Sequence, residues 1–277
     1  MIKLLVTDLD GTLLDQYKSV DPRNKAAIEA IMASGVDVCL ASARTLREIQ
    51  HVATGFNDRL YAISQNGAFV HTKDHEALRK SEIDKKIALN ILSVAGRFSV
   101  AQFVACHDHT IHTPIQTTEY QVIKPRMFVP CLENSNLFDA ISNGLMASKF
   151  SFYGDIKVLQ KLQSTLQHLF SDEINAEISD SDCLDVMAKG VSKGNALQLL
   201  MEWMGLTNEE VACIGDSFND VSMFHSCAHS FAMKASQEAV RIEARYSVSL
   251  VADAVLWIAK HNAPSSIPNH ILLKGGC

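Results

Sequence analysis

The segment that most constrains this fold is a short apolar run that ends in two closely spaced carboxylates. Ile2 to Val6 contains one polar residue, Lys3, and leads into Thr7-Asp8-Leu9-Asp10-Gly11-Thr12. Strands of a parallel sheet that is covered on both faces have such near-continuous Val, Ile and Leu runs. Ligands of open α/β sheets bind just outside the carboxyl ends of the strands. We therefore predict that Asp8 and Asp10 lie where a site would form, close enough to share a cation.

A calcium-binding EF-hand loop does not explain this pair of carboxylates. Such a loop has a glycine at its sixth position and a glutamate at its twelfth. Counted from Asp8, Gly11 is fourth and Ser19 is twelfth, and the preceding segment is strand-like rather than helical. The pair either takes part in a reaction or is a chance occurrence of the D-x-D pattern. Which of these holds depends on what other side chains lie at the same edge of the sheet.

Composition limits the classes of partner. The chain of 277 residues is long enough for two domains or one large one. Its net charge of −6 and pI of about 6.0 argue against nucleic-acid and anionic-membrane surfaces, which favour basic patches. No apolar run reaches the about 18 residues that a membrane span needs, and the first residues lack the pattern of a signal peptide. We expect neither a nucleic acid nor a membrane as a partner.

The cysteines favour a reducing compartment. There are seven, an odd number, scattered without a C-x-x-C pair. Cys39 and Cys213 lie inside apolar runs and are predicted to be buried core thiols. A cytoplasmic location is the simplest interpretation.

The order of predicted elements indicates an α/β core that is interrupted by a second domain. Strands and helices alternate up to residue 64, with the first helix starting at Asp21-Pro22. A hairpin turn at Asn66-Gly67 follows. The same alternation resumes at Gly190, with a helix capped by Ser192 and a strand over 211–214. We predict a discontinuous core over 1–82 and 189–277, with an irregular tail from Asn262.

Residues 83–188 are predicted to form an inserted α+β domain. The expected helices cover 84–96, 135–147 and a segment that starts at Asp155. One face of that last helix is predicted to be core, through Ile156, Leu159, Leu162, Leu166 and Leu169. The expected strands lie near 99–106, 110–114, 121–129, 149–153, 173–178 and 183–187.

Polar residues of complementary types follow the core strands. Ser42 follows the second strand, and Asp216, Asn219 and Asp220 follow the strand over 211–214, with Lys193 at the start of the preceding helix. Clustered carboxylates raise one another's pKa unless a cation joins them, and an oxygen-only set without His or Cys favours Mg²⁺. A hydroxyl and an ammonium beside such a metal suit the remaining oxygens of a phosphoryl group. The combination predicts a phosphoryl-transfer site.

The motifs resemble those of the haloacid dehalogenase superfamily of phosphohydrolases, and within it the Cof-type branch with an inserted type IIB cap. The resemblance extends to about residue 261. It is carried by Asp8-Leu9-Asp10-Gly11-Thr12, Ser42 with Arg44, Ile63-Ser64-Gln65-Asn66-Gly67-Ala68, the Lys189 to Leu197 segment, and Gly215-Asp216-Ser217-Phe218-Asn219-Asp220. The family usually has glycine where Ala43 stands. The resemblance implies a Rossmann-like parallel-sheet core, with a cap that determines substrate specificity.

The resemblance also implies a role for each residue. Asp8 would be the nucleophile that forms an aspartyl-phosphate, and Asp10 the general acid and base. Asp8, the backbone carbonyl of Asp10 and Asp216 would hold Mg²⁺, with Asp220 bracing the site from behind. The residues expected to bind the phosphoryl group are Ser42, Ala43, Arg44, Lys193 and Asn219.

The predicted function is a Mg²⁺-dependent phosphatase, a phosphoric monoester hydrolase, for small phosphorylated metabolites such as sugar phosphates. Two alternatives stay open: a phosphomutase, and a catalytically silent phospho-ligand-binding regulatory protein. Asp10 argues against the silent alternative, because pure binding needs no proton-handling carboxylate. The sequence does not select the substrate or the oligomeric state, nor does it show whether Arg44 and the His107–His112 segment reach the site.

Overall fold

The computed structural model describes residues 1–56, 59–106, 109–114 and 118–263. Within them the strands are β1 (Leu4–Thr7), β2 (Asp37–Ala41), β3 (Tyr61–Ser64), β4 (Phe69–His71), β5 (Ala77–Lys80), β6 (Ala101–Cys106), β7 (Ile111–Thr113), β8 (Leu132–Glu133), β9 (Ala147–Tyr153), β10 (Ile174–Asp180), β11 (Cys183–Ala188), β12 (Val211–Gly215), β13 (His229–Met233) and β14 (Tyr246–Val248). The α-helices are α1 (Pro22–Ala33), α2 (Leu46–Ala53), α3 (Lys85–Ala95), α4 (Thr118–Ile123), α5 (Leu137–Ser142), α6 (Ile156–Phe170), α7 (Lys193–Met204), α8 (Val221–Phe224), α9 (Glu238–Arg241) and α10 (Val251–Asn262). None of these helices combines the length and the apolar character that crossing a membrane requires.

The larger sheet contains strands from both ends of the chain, in the order β14-β13-β12-β1-β2-β3-β4-β5. Neighbours are parallel from β14 to β3, and β4 and β5 add an antiparallel edge. Successive residues of β1 enter different hydrophobic clusters, Leu5 with Ile28 and Val6 with Leu197. The central strand is therefore covered on both faces, and the predicted α/β core is confirmed.

Capping residues determine where the core helices begin and end. Helix α1 starts with Pro22, and the side chain of Asp21 accepts a hydrogen bond from the N–H of Arg23 at 2.8 Å. Ser192 caps α7 in the same way, and Gly205 ends it with a φ of 66°. These helix starts agree with the sequence prediction.

The smaller sheet has the order β10-β11-β9-β6-β7-β8 and is antiparallel apart from the β7–β8 pair. One face packs against α3, α5 and α6 through a cluster that includes Phe150 and Phe152. The other face lines the cleft at the strand ends of the larger sheet. This sheet and its helices form the predicted inserted α+β cap.

The two connections between core and cap lie side by side. The guanidinium of Arg79, on β5, donates to the carbonyl oxygen of Gly190, after β11, at 3.2 Å. Because β4 and β5 belong to the core sheet, the insertion starts after five core strands. The boundaries at 82/83 and 188/189 stay predictions.

The predicted strand near 121–129 is wrong. Helix α4 ends at Ile123, and Lys124–Arg126 form a short 3-10 turn. Pro125 has no N–H to donate to a neighbouring strand, so it interrupts an otherwise strand-like composition. Phe128 instead packs against the hydrophobic core of the larger domain.

The predicted helix over 135–147 is too long. Helix α5 ends at Ser142, and Ala147 already begins β9. Gly144 lies between them with a φ of 109°, a conformation that a helix does not accommodate. In α6, Leu169 is also wrong as a core residue, because it is 51% exposed near the end of the helix.

The predicted irregular tail starts too early. Asn262 is the last residue of α10, and its side chain pairs with the backbone N–H and C=O of Ile2 at 2.6 and 2.8 Å. This pair joins the end of the last helix to the start of the chain. Residues 264–277 of the predicted tail lie outside the described residues.

The cysteines with described side chains are free thiols. Cys39 and Cys213 are fully buried, and burial raises the pKa of both thiols. The prediction that these two residues are core thiols is confirmed.

Candidate active site

The carboxyl ends of three parallel strands open into one cleft. Asp8 directly follows β1, Ser42 follows β2 and Asp216 follows β12. The N–H of Asp8 donates to the carbonyl oxygen of Ile214 at 2.9 Å, which ties the end of β1 to its neighbour. The cleft contains about 890 Å³ of unfilled space, including the solvent at its mouth. The predicted convergence of polar strand ends is present.

The structure brings the nine predicted site residues together. Those that line the cleft are Asp8, Asp10, Ser42, Ala43, Arg44, Asp216 and Asn219. Lys193 and Asp220 lie behind this lining with fully buried side chains. They reach the cleft through direct contact with its lining residues.

Lys193 joins two carboxylates at the base of the cleft. Its Nζ donates to Oδ1 of Asp8 at 2.6 Å and to Oδ1 of Asp220 at 2.5 Å. Burial alone would lower the pKa of Lys193, but the two carboxylates raise it above its ordinary value. A permanently charged ammonium therefore holds one oxygen of Asp8 in place.

The second carboxylate oxygen of Asp8 is not engaged by a described hydrogen-bond donor. Its Oδ2 is buried and has no hydrogen-bond partner among the described residues. Burial raises the pKa of Asp8 well above its usual value, which Lys193 opposes and the carboxylates of Asp216 and Asp220 reinforce. Because an unpaired buried oxygen is costly, this atom indicates a ligand.

Asp216 is held close to the first motif by the two residues that follow Asp10. The hydroxyl of Thr12 donates to Oδ1 of Asp216 at 3.1 Å. Gly11 has a φ of 82°, and a Cβ there would lie 2.3 Å from Oδ2 of Asp216. Burial first, and then the charge of Asp220, raise the pKa of Asp216 to about 7. The glycine is required because the carboxylate occupies the space of a side chain.

Protein donors occupy both oxygens of Asp220. Oδ2 accepts from the N–H groups of Asp216 and Ser217 at 2.9 and 3.0 Å, and Oδ1 accepts from Lys193. A Cβ at Gly215 would lie 2.4 Å from Cγ of Asp220, so the loop folds tightly around this carboxylate. These contacts suit a residue that braces the loop.

The acidic cluster fits a divalent cation. Asp8, Asp216 and Asp220 each offer an oxygen, and these atoms lie within 4.8 Å of one another. An all-oxygen set of carboxylates is typical of hard cations such as Mg²⁺. Such an ion would relieve the repulsion between the carboxylates and provide the missing partner for Oδ2 of Asp8.

Asp10 is engaged by two cations on the open side of the cleft. Arg44 donates to both of its oxygens, at 2.7 and 2.8 Å, and Lys18 donates to Oδ1 at 2.7 Å. Burial favours a higher pKa for Asp10, but the hydrogen bonds and charges of Arg44 and Lys18 lower it to about 2. Asp10 is therefore ionised at neutral pH in this arrangement.

Arg44 connects the site to the cap as well as to Asp10. Its guanidinium also donates to Glu48 at 2.9 Å and to the carbonyl oxygen of Arg126 at 3.1 Å. The ring of Phe128 lies 4.2 Å from its Cζ, a cation–π contact. Arg44 thus faces the cleft and braces its loop at the same time.

The remaining predicted phosphoryl-binding residues are held by hydrogen bonds. Oγ of Ser42 accepts from the N–H of Arg44 at 3.2 Å. The amide nitrogen of Asn219 donates to Oδ1 of Asn66 at 3.0 Å, whereas Oδ1 of Asn219 is buried without a hydrogen-bond partner in the described part of the chain. Ala43 lies between Ser42 and Arg44 on the wall of the cleft.

Gln65-Asn66-Gly67 is a connection that the sequence predicts to be a hairpin turn and that belongs to one of the motifs behind the family resemblance. The hairpin is present, but all three residues have positive φ, of 50°, 56° and 99°. The N–H groups of Gln65 and Asn66 donate to the carbonyl oxygens of Arg44 and Ser42 at 2.8 and 3.0 Å. Two non-glycine residues in this region store strain, which tertiary contacts must offset.

Asn66 links the core to the cap. Its amide nitrogen donates to Oδ2 of Asp185, on β11, at 2.8 Å, while its oxygen accepts from Asn219. The signal for this role was available, because Gln65 and Asn66 are polar residues directly after a buried strand, as Ser42 is.

The cap side of the cleft carries further polar residues that the sequence analysis missed. Lys149 and Ser151 of β9 and Asp185 of β11 line the cleft and are buried. The alternation Lys149-Phe150-Ser151-Phe152 was the available signal, since it places polar and aromatic residues on opposite faces of a strand.

The histidine-rich segment of the cap has a different position. His107 and Asp108 lie outside the described residues. The ring of His109 packs against those of Phe69 and His71, at centroid distances of 4.9 and 5.5 Å. This contact lies at the junction of cap and core, and its three rings are not part of the described cleft lining, whereas Ile111 of the same segment is.

Arg126 brings the Lys124-Pro125-Arg126 turn to the site. Its side chain lines the cleft and forms an ion pair with Asp182 at 2.9 Å. Of the three residues of this turn, Arg126 is the one that lines the cleft.

Comparison with known proteins identifies the family of this chain. The sequence profile of the haloacid dehalogenase-like hydrolase family matches residues 5–257. One similar protein is the 5-amino-6-(5-phospho-D-ribitylamino)uracil phosphatase YbjI of Escherichia coli K12, which is 23% identical over 95% of this chain and 98% of its own length. Another is the HMP-PP phosphatase of Escherichia fergusonii, 24% identical over 88% of each chain.

A solved structure shares the fold. TM0651 from Thermotoga maritima superposes with a TM-score of 0.80 at 24% identity, over 95% of this chain and 98% of that protein. The match spans both sheets, so core and cap recur together. With the profile covering most of its length, the chain belongs to the haloacid dehalogenase-like hydrolase family.

Proposed function

We propose that this protein is a Mg²⁺-dependent phosphatase that hydrolyses small phosphorylated metabolites through an aspartyl-phosphate on Asp8. The observation that carries the proposal is the state of Asp8, with Oδ1 fixed by Lys193 and Oδ2 buried and unpartnered among the described residues of the cleft. The phosphatase names of two full-length relatives support the same reaction class.

Asp8 is the proposed nucleophile. Attack of one oxygen of its carboxylate on phosphorus would form the aspartyl-phosphate and release the alcohol, while the other oxygen is left to hold the cation. This divides hydrolysis into two easier steps. Lys193 fixes the orientation of the attacking carboxylate, and its charge lowers the pKa that burial raises. The nucleophile is therefore oriented before substrate arrives.

Asp10 is the proposed proton carrier. Ionised beside Arg44 and Lys18, it is ready to accept a proton from the water that hydrolyses the aspartyl-phosphate. To donate a proton to the leaving alcohol it must first be protonated. A shift of the Arg44 hydrogen bonds from Asp10 to the incoming phosphoryl group would raise the pKa of Asp10 and permit that step.

The other polar residues would bind the phosphoryl oxygens. Ser42, the backbone at Ala43 and the amide of Asn219 lie on the cleft wall, and Arg44 offers a fork of N–H donors that matches phosphate geometry. Such donors contribute most when they point to where charge develops, about 3 kcal/mol for each.

Mg²⁺ is the proposed cofactor, held by Asp8, Asp216 and the backbone carbonyl of Asp10, with Asp220 as the brace. When bound, the ion would neutralise charge on the transferring phosphoryl group. Binding of the ion is measurable apart from catalysis, because saturating Mg²⁺ should raise the melting temperature. At a hundred times its Kd the ion should add about 3 kcal/mol to the free energy of unfolding. An Asp216→Asn variant should lose that shift. We also propose a cytoplasmic location, since the free cysteines suit a reducing compartment.

Phosphate release with Mg²⁺ from a panel of phosphorylated metabolites tests the function. We expect release from at least one monoester, loss of activity in EDTA and recovery with added Mg²⁺. Isomerised sugar phosphate without net phosphate release would identify a mutase instead. Ligand binding without turnover of any compound would identify a silent binding protein.

A further inference from the structure

The cap presents one polar cluster to the cleft, on a face that alternation along two strands creates. Lys149 and Ser151 are two residues apart on β9, and Asp185 on β11 is the register partner of Ser151. The intervening residues Phe150 and Phe152 point to the opposite face and are fully buried in the cap core. The polar side chains therefore belong to the cleft and not to the packing of the cap.

The cluster is an ion pair with a hydroxyl beside it. Nζ of Lys149 donates to Oδ1 of Asp185 at 2.9 Å, and Oγ of Ser151 donates to the same oxygen at 2.6 Å. Asp185 is 1% exposed, and Lys149 and Ser151 are 7% exposed. Replacing a buried ion pair by apolar residues is often neutral or stabilising, so folding alone does not explain this one.

The cluster retains hydrogen-bonding capacity on the cleft side. An ammonium has three N–H donors, and among the described residues only Asp185 accepts from Lys149. Oγ of Ser151 keeps its acceptor lone pairs, since its proton is given to Asp185. Donors and an acceptor side by side match an alcohol hydroxyl, which donates and accepts at once.

The electrostatics of the cap lining favour a leaving group without charge. The cations that the cap places in the cleft lining are Lys149 and Arg126, and the anions are Asp180 and Asp185. Their formal charges cancel, so a second phosphate or carboxylate on the leaving group would gain no net attraction. Beside the cluster lie the rings of Phe103 and Tyr153, at a centroid distance of 5.3 Å. This wall suits the C–H face of a sugar or polyol.

The cluster is tied to the phosphoryl end of the cleft. Asn66 donates to Asp185 at 2.8 Å and accepts from Asn219 at 3.0 Å, so two hydrogen bonds join the proposed phosphoryl-binding residue to the cap cluster. A substrate bridging the two ends would meet both at a fixed separation.

We propose that Lys149, Ser151 and Asp185 form the leaving-group subsite, and that it selects monophosphates of neutral, polyhydroxylated alcohols over substrates with a charged leaving group. This rests on the proposed phosphatase function, since it assigns the cap side of the same cleft. Lys149 and Ser151 bind leaving-group hydroxyls, and Asp185 orients them.

The test compares kcat/KM for phosphate release with Mg²⁺ from ribose 5-phosphate, glucose 6-phosphate, sorbitol 6-phosphate, fructose 1,6-bisphosphate and acetyl phosphate. Wild type should favour the best monophosphate over the bisphosphate. In the double variant Lys149→Met/Asp185→Asn, kcat/KM for that monophosphate should fall at least about tenfold further than for acetyl phosphate, whose leaving group has no hydroxyl. The double variant is preferred because Lys149→Met alone would leave Asp185 buried without a counter-ion.

Two further variants complete the test. Ser151→Ala, which leaves the ion pair in place, should show the same selective loss at about threefold or more, and its folding is checked by thermal unfolding. Lys161→Met, on the exposed surface of α6, is the control and should match wild type on every substrate.

Three outcomes would overturn the inference. Equal losses on sugar monophosphate and acetyl phosphate would show a merely structural cluster. A wild-type preference for the bisphosphate would contradict the neutral subsite. Absence of phosphate release from every compound by the Mg²⁺-loaded wild type would reject the proposed function itself, a result distinguishable from the other two.

Discussion

The two halves of the cleft are built on different principles. The core half consists of loops at the ends of parallel strands, where Asp8, Asp216 and Asp220 lie close together and Lys193 contacts two of them. The cap half is the face of an antiparallel sheet, where the Lys149–Asp185 pair lies beside aromatic rings. The core half has an excess of negative charge that a cation would neutralise, whereas the positive and negative charges of the cap lining cancel. The first arrangement suits a reaction common to many substrates, and the second suits discrimination among them.

The largest effect should follow a change in the core half. Asp8→Asn removes the proposed nucleophile and should lower the rate of phosphate release by at least about 10⁴-fold for every substrate. Its melting temperature should equal or exceed that of wild type, because the buried carboxylates no longer repel. Phosphate assays and thermal unfolding test this, with the exposed Asp172→Asn as control. Substantial activity in Asp8→Asn would remove Asp8 as the nucleophile.

A change at the boundary of the two halves should have an intermediate effect. Arg44→Lys loses the paired donors to Asp10 and should cost about 3 kcal/mol of transition-state stabilisation, about 10²-fold in kcat. With weaker donors the pKa of Asp10 rises from about 2, so the acidic limb of the pH–kcat profile should move to higher pH. Lys18→Met, which removes a single partly exposed contact, should have the smaller effect. An unchanged profile in Arg44→Lys would contradict the coupling.

The junction of core and cap should respond to acid. Burial, and then the nearby charge of His109, lower the pKa of His71 to about 4, below its unfolded value of 6.5. The unfolded chain therefore binds the proton more readily, and stability should be lost as the pH falls below 6.5, by about 2 kcal/mol at pH 5.

Denaturant unfolding at pH 7 and pH 5 measures this loss. His71→Phe should remove most of it, whereas His225→Gln, at an exposed site, should behave as wild type. Identical pH dependence in His71→Phe and wild type would assign the acid sensitivity to other groups.

The smallest effect should come from the link between the two halves. Asn66→Gly keeps the positive φ accessible but deletes both amide contacts, and should lower kcat/KM by about tenfold. Asn66→Ala, with the same deletion and an added backbone penalty, should be less stable by about 1 kcal/mol than Asn66→Gly. Equal catalysis by Asn66→Gly and wild type would show that the two halves act independently.

The core half was predictable because its signals are local in sequence. Most of the candidate residues follow an apolar core strand within a few positions, and parallel strands bring those positions to one edge. The sequence alone therefore placed Asp8, Ser42 and Asp216 together. The contacts of Lys18 and Thr12 could not be predicted, since they depend on how the turn after β1 folds back.

The cap half was only partly predictable, because its contacts are distant in sequence. Lys149 and Asp185 meet through the register of β9 with β11, which no local pattern specifies. Composition also misled the prediction near Pro125, where strand-forming residues surround one that cannot donate to a ladder. The element types were mostly predictable, but the strand pairing that builds the proposed leaving-group side was not.

The adjacency of Arg79 and Gly190 has an engineering consequence. A domain whose entry and exit points touch can be exchanged without rerouting the host chain. Residues between these two crossings could be replaced by the corresponding segment of another family member, leaving the parallel sheet and its strand-end loops intact. Such a chimera would combine the cap of another family member, and the substrate preference it carries, with an unchanged core domain.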